Sequence, residues 1–151
     1  MDERFPDIVG SEELVARVLF SPSYIHNGRV APTAFRWEIL PSGTVEDYIS
    51  VLRGDVEGLE RSTRLFKART EGDERYGYVR LCVGEIRMID DSLGHRVKMD
   101  VLAYPSRRMA CHAGIVAEIE GEWVTARTPI TPEVMMLQKK LTMLCSDIVK
   151  F

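Results

Sequence analysis

The residues best suited to chemistry lie close together in the first quarter of the chain. Ser21-Pro22-Ser23-Tyr24-Ile25-His26-Asn27-Gly28-Arg29, followed by Arg36-Trp37-Glu38, brings hydroxyls, an imidazole, an amide, two guanidiniums and an indole into one aperiodic stretch. Arginine forks suit oxyanions, a glycine turn exposes backbone N–H groups, and an aromatic face suits a base. An anionic small molecule is therefore the expected ligand, held by His26, Arg29, Arg36 and Arg53, the last at the end of an apolar segment. The plainer account is that Asn27-Gly28 forms a tight turn, Trp37 is core, and the arginines pair with acids such as Glu38 and Glu46.

Three further sets carry reactive groups. Arg107-Arg108 precede His112, which sits among Ala110, Cys111, Ala113 and Gly114, so a half-buried neutral imidazole bonded to backbone competes with a general base. Glu118 and Glu120 alternate on extended chain before Glu122, so two carboxylates fall on one face, either sharing a site or keeping a hairpin tip soluble. Cys82, Cys111 and Cys145 are widely spaced in apolar surroundings, which predicts reduced thiols and no metal. His95 follows Gly94 in a polar turn and reads as solvated. No dinucleotide, phosphate-loop, zinc or nucleophile-elbow signature occurs, so no catalytic residue and no cofactor are assigned.

The elements that must position these groups follow from periodicity. Ser11 to Phe20 reads as a short helix, with Ser11 as cap, Glu12 and Glu13 in the first turn, and Leu14, Val15, Val18 and Leu19 as its apolar stripe. Residues 21–42 read as a long ordered loop with a brief extended piece over Ala34 to Leu40, and loops of that length are often functional. Its part from Ser21 to Arg36 is expected to form a wall of the main pocket. Tyr48 to Arg53 predicts a core strand, and Asp55 to about Arg69 a helix. Tyr76 to Ile89 predicts a strand interrupted at Gly84; Val97 to Tyr104 predicts another. Ala113 to Ile119 and Glu122 to Ala126, joined by Glu120-Gly121, predict a hairpin. Thr131-Pro132-Glu133 opens a helix expected to run toward the C-terminus, with Val134, Leu137, Leu141, Leu144, Ile148 and Phe151 on its apolar side. Met135, Met136, Met143 and Val149 widen that stripe, which suits burial on a sheet or an adaptable partner surface.

The expected fold is therefore α+β: one domain over residues 1–151, with a mixed or antiparallel sheet of about four to six strands packed by two or three helices, one of them C-terminal and amphipathic. No apolar run approaches the ~20 residues of a membrane span, and MDERFPDIVG lacks the form of a signal peptide, so a cytoplasmic location is expected. A formal net charge of −3 argues against general nucleic-acid binding. Fifteen arginines against five lysines bias the basic set toward bidentate pairing, whether with ligands or with structural acids.

In order along the chain, Arg17, Gly28-Arg29, Tyr48 with Ser50, and Glu118-Ile119-Glu120 resemble the Arg/His, Ser and Glu-x-Glu positions of ADP-ribosyltransferase-like enzymes. That resemblance implies an NAD-using, nucleotide-handling enzyme. It departs from the family in placing Arg17 on a predicted helix, in lacking the Ser-Thr-Ser form, and in setting the carboxylates at a turn. The residues themselves favour a non-catalytic cytoplasmic binding or protein-interaction domain, self-associating or partner-bound through its C-terminal helix.

Overall fold

The computed structural model describes residues 5–54 and 71–151. Its centre is a strand, β1 (Leu14–Ser21), where the sequence predicts a helix. The correction has a physical cause. Val15, Ala16, Val18, Leu19 and Phe20 are all buried, because β1 lies inside the sheet with apolar contacts on both pleat faces. A strand buried on both faces loses the period of two, and a short apolar run then mimics a helix stripe. The supposed cap does other work: the Ser11 carbonyl accepts from Gly84 N–H at 2.8 Å, and its hydroxyl accepts from Arg87 Nη1 at 2.8 Å.

After β1 come a two-residue hairpin, β2 (Ile25–His26) and β3 (Arg29–Val30), and a 3-10 turn at Pro32–Phe35. Asn27 and Gly28, at φ 51° and 74°, make the left-handed turn between the hairpin strands, as the Asn-Gly pair predicts. The 3-10 turn occupies the start of the piece expected to be extended. Further along lie β4 (Ile49–Arg53), β5 (Glu74–Cys82), the short helix α1 (Val83–Arg87), β6 (Val97–Ala103), β7 (His112–Ile119) and β8 (Glu122–Trp123). Helix α2 (Pro132–Leu144) and β9 (Val149–Lys150) complete the order. The helix predicted from Asp55 lies outside the described residues.

Seven strands form one sheet in the order β6-β7-β4-β1-β5-β9, with β8 also on β7. Every pairing in it is antiparallel. The architecture is thus α+β, dominated by its sheet, with more strands than the four to six expected. The predicted strand through Ile89 stops at Cys82, where the chain turns into α1 at Gly84.

Helix α2 begins as its sequence predicts, with Val134 N–H donating to Thr131 Oγ1 at 3.3 Å and Pro132 in the first turn. Val134, Leu137 and Leu141 are fully buried beside the 3-10 turn. It ends at Leu144, however, and does not reach Phe151. Ser146 is captured by β5, donating from its N–H to the Arg80 carbonyl at 2.9 Å and accepting from Arg80 N–H on its hydroxyl at 2.8 Å. The next residues then pair with Gly77 and Tyr78 as β9. Ile148 stays partly buried against the core, but as part of this strand approach. No helix among the described residues is long and apolar enough to cross a membrane.

Candidate functional site

Two polar clusters meet at β4. The ladder between β1 and β4 runs over Val15↔Arg53 and Ala16↔Leu52. Beyond it, the Arg17 guanidinium takes the place of ladder bonds, Nη1 donating to the Ser50 carbonyl at 2.8 Å and Nε to the Ala34 carbonyl at 2.8 Å. Arg17 is buried, and its remaining nitrogen reaches the Tyr24 hydroxyl at 3.4 Å. Tyr24 in turn donates a short hydrogen bond to Glu38. Arg36 closes the cluster from outside, its Nε 3.3 Å from Glu38 Oε1 and its guanidinium 5.7 Å from the Tyr24 ring centre. Burial and the Glu38 carboxylate together raise the Tyr24 pKa, despite the opposing charge of Arg17, so Tyr24 stays a neutral donor.

The second cluster occupies the other pleat face. Ser50 lies opposite Gly114 and Leu52 opposite His112 in the β4–β7 register, and cross-strand partners share a face. Ser50 Oγ is 3.0 Å from His112 Nε2, while His112 Nδ1 is 2.9 Å from the Tyr104 carbonyl. Tyr48 and Tyr104 stack with ring centres 4.8 Å apart, and Tyr48 meets the His112 ring edge-on at 5.6 Å. Gly114 makes room for them: a Cβ there would stand 2.7 Å from Tyr48 Cβ and 2.8 Å from Tyr104 Cε2. Burial, reinforced by the Asp47 charge, raises the Tyr104 pKa.

The four residues expected to hold an anion are dispersed. His26 and Arg29 are cross-strand partners on the exposed β2–β3 hairpin. Arg36 lies at the Tyr24 cluster. Arg53, at 1% exposure, is sealed at the far end of β4, its Nε and Nη2 holding both Glu13 oxygens at 2.8 and 3.0 Å. A cleft of about 380 Å³ opens elsewhere, lined by Asp91, Arg96, Val97, Lys98, Glu118, Glu120 and Gly121. Beside it His95, exposed as predicted, faces Glu120 and Glu133 across 3.7 and 3.2 Å.

The enzyme resemblance in order is not matched by a shared cleft. Arg17 has its donors committed inside, and Glu118 pairs with Lys98 and Trp123 four residues along β7 from Gly114, roughly 13 Å at the rise of a strand. Glu120 accepts from Arg96 N–H at 2.6 Å. The thiols are separate too: Cys111 is in the core, Cys82 points to the Ser11 carbonyl, and burial pushes the Cys145 pKa up to about 12. Compared with known proteins, the chain matches no family model, no curated sequence and no solved structure.

Residue order does not join Ser50 to His112, because they are 62 positions apart and only the β4–β7 register brings them together. The signal present in the sequence was His112 between small residues, which leaves space for an imidazole on a crowded sheet.

Proposed function

We propose that this chain is a protein-binding module of the cytoplasm that self-associates through the outer side of α2. The observation that carries the reading is the division of α2 itself. Val134, Leu137 and Leu141 fill the core, while Met135 and Met143, at 56% and 75% exposure, stand outside with Ile130 just before the helix at 65%. Methionine adapts its shape to a partner, and burying such a side chain contributes about 1.5–3 kcal/mol. None of Cys82, Cys111 and Cys145 is in a disulfide, which suits a reducing compartment.

The internal use of charge supports a docking role over a small-molecule one. Arg17, Arg53 and Arg87 direct their guanidiniums at backbone carbonyls and carboxylates of the same chain. Light scattering coupled to size exclusion tests the reading over a range of concentrations. A doubled mass is expected, reverting to a monomer in Met135→Glu/Met143→Glu with an unchanged melting temperature. A wild-type chain that stays monomeric at every concentration overturns it.

A further inference from the structure

The hydrogen atoms of the Ser50–His112 pair can be placed by elimination. A carbonyl only accepts, so His112 Nδ1, 2.9 Å from the Tyr104 oxygen, carries the ring hydrogen. In the neutral ring Nε2 is then the acceptor, and the Ser50 hydroxyl 3.0 Å away donates to it. A nucleophile needs this arrangement: its proton lies against the lone pair of a base whose opposite nitrogen is fixed by a third group. The fixing extends further. Arg17 holds the Ser50 carbonyl from the opposite face at 2.8 Å, and the stacked Tyr48 and Tyr104 rings flank the imidazole. Ser50 itself is buried, so approach is from the side of the half-buried His112, Tyr48 and Tyr104.

We propose that Ser50 is an activated nucleophile toward ester or thioester acyl groups, with His112 as its general base and the Tyr104 carbonyl positioning that base. Ser50 Oγ bonds to the acyl carbon as its proton passes to His112 Nε2. The carbon–oxygen or carbon–sulfur bond of the substrate breaks, and the leaving alcohol or thiol takes that proton from the imidazolium. Water then attacks the acyl-serine, its proton passing through Nε2 back to Ser50 Oγ, and the free acid departs. This goes beyond the docking reading and uses the sheet face opposite the one that carries Arg17.

A fluorophosphonate probe tests it on the full chain, with intact mass and peptide mapping as the readout. The phosphorus bonds to Ser50 Oγ and fluoride leaves, so the proposal expects a single adduct at Ser50 and none in Ser50→Ala. General-base assistance is worth about 100-fold or more, so labelling in His112→Gln slows by at least that factor. In wild type the rate rises with pH, because only the unprotonated form of a general base can take the serine proton. Absence of an adduct at Ser50 in the folded chain overturns the proposal. So does an equal rate in folded His112→Gln. If that variant does not fold, a wild-type rate that stays flat with pH overturns it.

Discussion

Arg53 heads the large side chains that are fully buried, and every direction its guanidinium faces is answered. Glu13 takes the fork, the Pro6 carbonyl accepts from Nη1 at 2.7 Å, and the Phe5 ring lies 5.6 Å from the guanidinium carbon. Removing one partner of such a pair strands the other, at a cost of about 3–5 kcal/mol. Arg53→Ala is expected to lower unfolding free energy by that amount in urea titrations. The pair also sets an acid limit. Burial pushes the Glu13 carboxyl up, but the Arg53 hydrogen bond, the Gly10 N–H and the charges of Arg53 and Arg87 outweigh it and hold the pKa below the ordinary 4.5. A carboxyl lowered in the folded state stabilises the fold above its unfolded pKa, and that contribution is lost as pH falls through the folded value. Urea midpoints followed from neutral into acid should therefore fall more steeply for wild type than for Glu13→Gln; parallel curves would remove Glu13 from the account. None of this is readable locally, because Glu13 is 40 residues from Arg53 in a segment whose composition imitates a helix start.

At the scale of elements, legibility depended on how many faces were buried. β6 and β7 stand near their predicted limits because turn residues mark their ends, whereas β8 stops at Trp123, short of the predicted Ala126. The start of α2 was equally plain, since Thr131-Pro132-Glu133 acts locally. Its end was not: the apolar spacing continues through Ile148 and Phe151, but competition from the β5 backbone at Ser146 decides the stop. The predicted inner side of α2 is realised at Leu141, so Leu141→Ala should cost about 2–5 kcal/mol, read from the shift in chemical denaturation. A different control operates at the edge strand β6. Val97 N–H donates to Asp91 at 3.1 Å, Val101 N–H to Asp100 at 2.7 Å, and Arg87 bonds both Asp100 and the Val101 carbonyl. Side chains thereby occupy backbone groups that would otherwise template pairing with another chain. Arg87→Ala combined with Asp100→Ala is expected to raise aggregation on concentration, with thioflavin binding, before far-UV circular dichroism changes. A double variant as soluble as wild type would show that this edge needs no plug.

For the whole molecule, the sheet order places the earliest long strand at the centre, between β4 and β5, with the most local pairings, β6–β7–β8, to one side. Central amides open only when the structure around them opens, whereas short peripheral ladders open alone. β1 pairs with β5 from Leu14↔Cys82 to Ser21↔Glu74 and with β4 at Val15 and Ala16, so its N–H groups should exchange most slowly. The two-residue β2–β3 ladder, which carries His26 and Arg29, should exchange fastest among the strands, followed by β9. Hydrogen exchange resolved by residue measures this order directly. If β6 and β7 instead outlast β1, the meander is the cooperative unit and the central strand joins it late. The expected order also bears on chemistry, because Ser50 lies on β4 directly beside β1 and His112 on β7 beside β4. A nucleophile and base need geometry held to about 0.5 Å, which the slowest-opening part of a sheet provides and a hairpin tip does not. Protection at Ser50 and His112 approaching that of Val15 to Leu19 is therefore the expected result, and exchange there as fast as in β2–β3 would leave the pair without the rigidity its proposed reaction requires.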